Sequence, residues 1–328
     1  MSKKVHLTLA CGEYEILRPL IDGVVEPEGI ELTAITRFDS STRHWRFLRN
    51  REFDLSELSI SSYLLAHDAG LPFVALPVFP HRRFRHGFVF VNKSAGISAP
   101  RDLIGRRVGV KSFQVSAILW MRGVLEHEYG VPHKSIHWFS ELDEDVEFEP
   151  PPDLSLTRLP NEKSVVDMLA SGELDAVIHP DLIHPILMKH SRIGRLFPEY
   201  KREEIAYFKK TGIFPIMHTI AIKKEILERW PWVASSLYDA FEKAKSLGMK
   251  RMENPRVAPL AWYREDWEEQ EAILGPDPWH YGLDESNRRT LETIVGYSRE
   301  QGLIKRAPTL EDLFFETSPG RKRGSNPI

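Results

Sequence analysis

From Phe79 to His86 the chain reads Phe-Pro-His-Arg-Arg-Phe-Arg-His, then turns apolar through Gly87–Val91. Arginine forks grip carboxylates in bidentate fashion, and imidazole moves protons near neutral pH. So dense a charge at the mouth of a buried strand is costly unless an anion meets it. The pattern points to a site for a carboxylated ligand, with Arg82 and Arg85 on carboxylates and His86 exchanging a proton. The competing reading is a basic surface turn whose arginines pair with neighbouring acids.

Three more segments carry polar residues at places where a ligand can be met. Thr211–His218 (Thr-Gly-Ile-Phe-Pro-Ile-Met-His) sets His218 at the start of an apolar run, just after a Gly/Pro turn. A satisfied core histidine is the plain alternative there. Val110–Ala117 reads as a strand that opens into a helix, so its free N–H groups form an anion cradle. Ser112, Gln114 and Ser116 would add donors to that cradle, although N-capping alone explains Ser112. Asp54–Tyr63 brings Glu57, Ser59 and Ser62 to another strand-to-helix junction. Glu57 there serves as a base, fixes a ligand hydroxyl, or pairs with an arginine of the cluster.

Weaker signals are set aside. Cys11 has no base dictated beside it and reads as a small buried thiol. Gly105 and Gly109 form neither a dinucleotide fingerprint nor a phosphate loop. The pairs His133/His137 and His179/His184 lack an HExxH context. No metal is expected; a divalent ion on His81, His86 and His218 is the lesser alternative, since imidazole suits zinc and iron. Trp262 and Trp279 are the tryptophans placed to meet an aromatic ligand.

These residues need elements to hold them. The N-terminal quarter alternates strand and helix signals: strands at 5–10, 31–37, 54–60 and 73–79, helices at 14–21, 42–50 and 62–69. That order implies an α/β fold with a mostly parallel sheet. The middle adds strands at 87–92, 136–141 and 175–179, with helices at 112–129 and 161–171, the latter capped by Asn161. Residues 141–153 are acidic and proline-rich and read as an exposed loop. From Lys224 onward the spacing is helical, and 318–328 is a polar, basic, disordered tail.

Apolar strands near 87–92 and 216–222 bracket the middle portion, as in a two-lobed chain that crosses a hinge twice. Lobe one takes 1–90 and 219–328, and lobe two takes 91–218. The cleft between them is the expected site, with His86 and His218 facing across it.

The 328 residues suffice for two cores without staples, and a single cysteine rules out an internal disulfide. A net charge of −3 gives no electrostatic case for nucleic acid or an anionic membrane. The N-terminus reads as a first strand, not a secretory segment, so a cytoplasmic location is expected.

The chain carries Phe79-Pro80-x-Arg82-x-Phe84-Arg85-His86, Glu57-Leu58-Ser59-x-Ser61-Ser62-Tyr63, Thr211–His218, Pro231-Trp232 and Trp279-x-Tyr281-Gly282. Together these motifs resemble the 4,5-dihydroxyphthalate decarboxylase family. Asp102-Leu103-x-Gly105-x-Arg107-x-Gly109-Val110 and Glu300-Gln301-Gly302-Leu303 extend the likeness over nearly the whole chain. His81 and His179 depart from the family pattern, which carries smaller residues there. The resemblance implies a type 2 periplasmic-binding-protein fold turned to enzymatic use, with no organic cofactor. It implies decarboxylation of 4,5-dihydroxyphthalate, or a related ring acid, to protocatechuate and CO2.

In that chemistry each carboxylate lies para to a hydroxyl. Deprotonating the hydroxyl loads the carbon that bears the carboxylate; protonation there and loss of CO2 restore the ring. An acid, a base and a cation are needed. His86 and His218 are the expected acid and base in unassigned order, Arg82 and Arg85 the carboxylate holders, and Glu57, Gln114 and Ser116 the groups that orient hydroxyls. A non-catalytic solute-binding protein for an aromatic or dicarboxylic acid is the alternative. The expected partner is the small aromatic carboxylate, and self-association is left open.

Overall fold

The computed structural model describes residues 4–316, so the expected disordered tail lies outside the described residues. The N-terminal part alternates β1 (Val5–Ala10), α1 (Arg18–Ile21), β2 (Ile30–Ile35), α2 (Ser40–Asn50), β3 (Leu55–Ser59), α3 (Ile60–Asp68) and β4 (Phe73–Arg82). The middle comprises β5 (Val89–Asn92), β6 (Arg107–Val110), α4 (Ser116–Tyr129), β7 (His137–Ser140), β8 (Leu156–Arg158), α5 (Val165–Ser171), β9 (Ala176–Ile178), α6 (His184–Leu187), β10 (Ile193–Arg195) and α7 (Tyr200–Thr211). The described residues close with β11 (Ile216–Lys223), α8 (Lys224–Arg229), α9 (Trp232–Met252), α10 (Tyr263–Leu274), α11 (Glu285–Glu300) and α12 (Leu310–Leu313).

Two sheets result. One has the order β2-β1-β3-β11-β4, the other β10-β5-β9-β6-β7-β8. The chain leaves the first sheet after β4 and returns to it in β11, which runs antiparallel between β3 and β4. This is the two-lobed, twice-crossed arrangement expected from the bracketing strands. His218 belongs to a strand of the first sheet, paired with Ser59 on one side and His81 on the other. Register shifts flank it on the β4 side. Bulges of this kind re-aim a side chain and are frequent beside active sites.

Local sequence explains the elements that matter for the site. Every residue of β3 is buried, as expected for the central strand of a covered sheet. In α2, Asp39 accepts from the Thr42 N–H at 3.0 Å and caps the helix. Its buried face carries Arg43, His44, Phe47 and Leu48, so a cation and an imidazole sit on the apolar stripe. The opening helix is shorter than 14–21 suggests: only Arg18–Ile21 is helical, and Tyr14 turns inward.

Three other expectations change. β4 runs three residues beyond Phe79, so its last residues belong to a strand and not to a turn. Ser164, not Asn161, caps α5, accepting from the N–H groups of Val166 and Asp167. The acidic loop at 141–153 is not simply exposed: Val146 is buried in the main core, and Glu144 and Asp145 turn their carboxyls inward.

Candidate active site

Glu57 is the anchor of the site. It stands on the central strand, wholly buried, with four donors around its carboxylate. Oε2 accepts from the Gly12 N–H at 2.7 Å and from Arg43 Nη2 at 2.8 Å. Oε1 accepts from the Tyr14 hydroxyl at 2.7 Å and from Nδ1 of His218. Burial alone would raise this carboxyl, yet Arg43 and His218 hold it well below the usual carboxylate range. An ionised Glu57 can only accept, so the hydrogen of the His218 contact sits on Nδ1. The free Nε2 of His218 is then left at the wall of a cavity.

The Gly12 contact depends on a glycine. A Cβ there would lie 2.8 Å from the Tyr14 ring, so a larger residue would push away the ring whose hydroxyl reaches Glu57.

The cavity encloses about 620 Å³ between the two sheets, a volume suited to a small ring acid. His218, His81, His44 and Arg85 line one part of it. The His81 and His44 rings meet His218 edge-on, at centroid distances of 4.8 and 5.1 Å. Burial, reinforced by His218, holds both well below the ordinary histidine value, so both are neutral at neutral pH. Buried nitrogens of each, Nε2 of His44 and Nδ1 of His81, have no partner among the described residues.

Arg85 is 5% exposed, and among the described residues no carboxylate bonds it. Nε points to the sulfur of Met217 at 3.1 Å and Nη1 donates to the Pro180 carbonyl at 2.6 Å. Nη2 is left over at the cavity. Burial lowers its pKa to about 9, so it stays charged at neutral pH. A buried guanidinium with a free edge is what an incoming carboxylate needs.

The other sequence-derived residues divide sharply. Ser59, Ser112 and Ser116 line the cavity. Ser59 and Ser116 share a 2.7 Å hydrogen bond between lobes, and Ser116 Oγ also accepts from the Ser61 N–H at 3.1 Å. Gln114 is not at the cavity; its amide clasps the backbone of Val146 from both sides. Ser62 is also displaced, its Oγ donating to Asp145 at 2.8 Å. The anion cradle exists but is filled from within: the N–H groups of Phe113 and Gln114 donate to Glu144 at 2.7 and 2.9 Å.

Arg82 and His86 require correction. Successive residues on a strand point to opposite faces, and β4 extends through both His81 and Arg82. His81 therefore faces the cavity, while Arg82 turns to the C-terminal helices, bonding the His280 carbonyl at 2.9 Å and Asn287 Oδ1. His86 opens a short 3-10 turn and sinks among Phe197, Tyr207 and Tyr129, with centroids at 5.2, 5.8 and 6.1 Å. Neither of its ring nitrogens has a partner among the described residues, and it does not line the cavity with His218. The histidine trio considered for a metal is thereby split. Among the described residues, no three or more His, Cys, Asp or Glu side chains are grouped to hold a metal ion.

Glu57 pairs with an arginine as one reading had it, but with Arg43 of α2 and not with the cluster. Cys11 is fully buried, and burial raises its thiol to about 12, which fits an inert core thiol. Trp262 lies exposed, and neither it nor Trp279 lines this cavity. Sequence reasoning missed Arg43, His44 and Tyr14. The signal for the first two was charge on the apolar stripe of α2.

A relative from Comamonas testosteroni, a 4,5-dihydroxyphthalate decarboxylase, is 32% identical over 324 residues, spanning 96% of this chain and 98% of its own length. The chain belongs to the 4,5-dihydroxyphthalate decarboxylase family. A second member, from Pseudomonas putida, is 34% identical over 201 residues, or 59% of this chain and 78% of that protein. No family model matches the chain. Among solved structures, the fold is similar to the aliphatic sulphonate binding protein SsuA of Escherichia coli, with a TM-score of 0.56 at 13% identity over 94% of this chain and 97% of that one. SsuA of Xanthomonas axonopodis pv. citri, bound to MOPS, gives 0.59 at 12% identity over 96% and 99%. The chain thus has a periplasmic-binding-protein-like fold, and the expected two-lobed architecture holds here.

Proposed function

We propose that this chain is a carboxy-lyase that removes CO2 from 4,5-dihydroxyphthalate, or a ring acid of the same pattern, to give protocatechuate. The observation that carries the reading is the Glu57–His218 pair, backed by Arg43 and set at the wall of a ring-sized cavity beside the free edge of Arg85. A solute-binding cleft needs donors for an anion but has no use for a buried carboxylate aligning an imidazole.

Arg85 holds the carboxylate that stays. A weaker setting suits the one that leaves, since a tight ionic grip would resist its conversion to neutral CO2. Protonated His218 delivers a proton from Nε2 to the ring carbon bearing the departing carboxylate, while Glu57 keeps the ring aligned through Nδ1. The C–C bond then breaks, its electron pair restores the aromatic ring, and His218 regains a proton from solvent. His44 and His81, held neutral, place no competing charge beside it. Ser59, Ser112 and Ser116 offer hydroxyls to the ligand from both lobes.

No helix among the described residues is long and apolar enough to cross a membrane. A cytoplasmic location belongs to this reading as the place where such a substrate would be met. The test is direct: incubate the protein with 4,5-dihydroxyphthalate and follow CO2 and the product spectrum. Release of both is expected. Tight binding with no CO2 would overturn the reading in favour of a solute-binding protein.

A further inference from the structure

The cavity has acceptors as well as donors. The carboxylates at its wall, among the described residues, are Asp39, Asp143, Asp145 and Asp181. Asp39 is committed to capping α2, with both oxygens on Thr42. Asp143 pairs with Arg158, and its side chain is 85% exposed. Asp181 is exposed, and its charge acts on Arg85.

Asp145 differs from all three. Its Oδ2 accepts from Ser62 Oγ at 2.8 Å, and its Oδ1 has no hydrogen bond among the described residues. The nearby cation, Arg49, bonds the Asp145 carbonyl at 2.9 Å and not its carboxylate. Burial raises the carboxyl to about 6, against the lowering effects of Ser62 and Arg49, so it is mostly ionised at neutral pH yet ready to take a proton. Asp145 is half-buried, and its free oxygen at the cavity wall can accept from a ligand hydroxyl.

The substrate class of the proposed function supplies one. In 4,5-dihydroxyphthalate the two carboxylates occupy one edge of the ring and the two hydroxyls the opposite edge. A ligand whose carboxylates meet Arg85 and His218 presents its hydroxyls on the edge away from them, where a second group of the cavity wall such as Asp145 can meet them.

We propose that Asp145 takes the proton of the ring hydroxyl para to the departing carboxylate, and so selects hydroxylated ring dicarboxylates over plain ones. The inference rests on the decarboxylase reading. The O–H bond breaks toward Asp145, and the oxygen pair flows into the ring as the para carbon accepts its proton from His218. Loss of CO2 returns the pair of the broken C–C bond to the ring and, through it, to the oxygen, which recovers its proton from Asp145. One proton is consumed for each CO2 released, and no other reactant is required. Because Asp145 is carried by the loop from lobe two and is fixed by Ser62 on α3 of lobe one, the acceptor is complete only when the lobes are together.

Calorimetric binding of phthalate, 4-hydroxyphthalate and 4,5-dihydroxyphthalate tests this. The unaltered protein should favour the hydroxylated ligands by about tenfold or more, since a ligand without the hydroxyl leaves the Asp145 acceptor unmet at the closed cavity wall. In Asp145→Asn that preference should shrink to about twofold with phthalate affinity retained, and turnover should fall on the order of a hundredfold or more. A preference that survives the substitution would overturn the proposal, as would an equal loss for all three ligands, which marks a purely structural role. Should the variant not fold, absence of any hydroxyl preference in the unaltered protein overturns it equally well. Failure of the unaltered protein to release CO2 would instead overturn the decarboxylase reading, and the ligand series would still decide whether Asp145 reads the ring hydroxyl.

Discussion

His218 and Glu57 lie on neighbouring antiparallel strands, and their side chains meet: Nδ1 of the imidazole bonds Oε1 of the carboxylate. The carboxylate is held in turn by Arg43, Tyr14 and the Gly12 N–H. A surface pair of this kind contributes little, but here both partners are buried and the direction of the imidazole is fixed. Nε2 can therefore address only the cavity.

Replacing His218 by Asn should lower kcat by about a hundredfold to ten-thousandfold while changing ligand affinity only slightly. Glu57→Gln should lower kcat as well, because an amide no longer dictates which ring nitrogen carries the hydrogen. It would also leave the Arg43 charge buried without its counter-ion, at a cost of about 3–5 kcal/mol in stability. Steady-state kinetics and chemical denaturation read the two effects. Full turnover in His218→Asn would remove the imidazole from the mechanism.

Arg85 carries a buried charge that awaits a ligand. Arg85→Lys keeps the charge and loses the planar fork. KM for the dicarboxylate should rise by about tenfold or more, with kcat less affected, because the carboxylate it holds does not take part in bond breaking. Isothermal calorimetry with phthalate gives the same answer without turnover. Unchanged affinity would place the carboxylate elsewhere in the cavity.

His86 belongs to stability rather than to the chemistry. Burial lowers its pKa to about 4, while the unfolded chain takes up that proton near 6.5. The unfolded state therefore binds the extra proton first. The contribution is complete above about 6.5 and drains away as the pH falls toward 4, a loss on the order of 3 kcal/mol. Glu204, 4.0 Å away, is too distant for a hydrogen bond and is itself raised to about 7 by burial. His86→Phe should flatten the acid side of the stability profile and leave turnover within about twofold, the usual reach of a neutral substitution away from a site. Melting temperatures between pH 4.5 and 7.5 decide this, and a sharp loss of turnover would restore His86 to the active site.

The contrast between His86 and His218 shows what the sequence could reveal. Strand and helix order, the double crossing and the strand that carries His218 follow from apolar runs and turn residues, which are local signals. Strand ends are not local in the same way. With β4 read as stopping at Phe79, Arg82 and His81 looked like neighbours in a turn; with β4 continuing to Arg82, the pleat sends them to opposite faces. The partner of Glu57 was likewise hidden, since α2 and the basic cluster offered arginines of equal chemistry and only packing selects Arg43. The strand-to-helix junction at 112–116 presents free N–H groups, but the cradle is closed by the chain itself. Its occupant, Glu144, arrives from a loop about thirty residues away, a distance that local pattern does not cover.

That loop also ties the lobes together. Arg49, on α2, donates to the Asp145 carbonyl at 2.9 Å and to Glu147 at 3.1 Å, while Ser62 on α3 holds the Asp145 carboxylate. The Arg49 contacts are part-exposed, so Arg49→Ala should change global stability by less than about 1 kcal/mol. Its effect should appear in closure instead. Cleavage by a protease within 141–153 should accelerate, and KM should rise by roughly threefold to tenfold, as expected for a modest coupling between lobe closure and binding. A loop held mainly by Val146 in the core would show neither change, and equal proteolysis of the two proteins would assign the closure to that apolar contact rather than to Arg49.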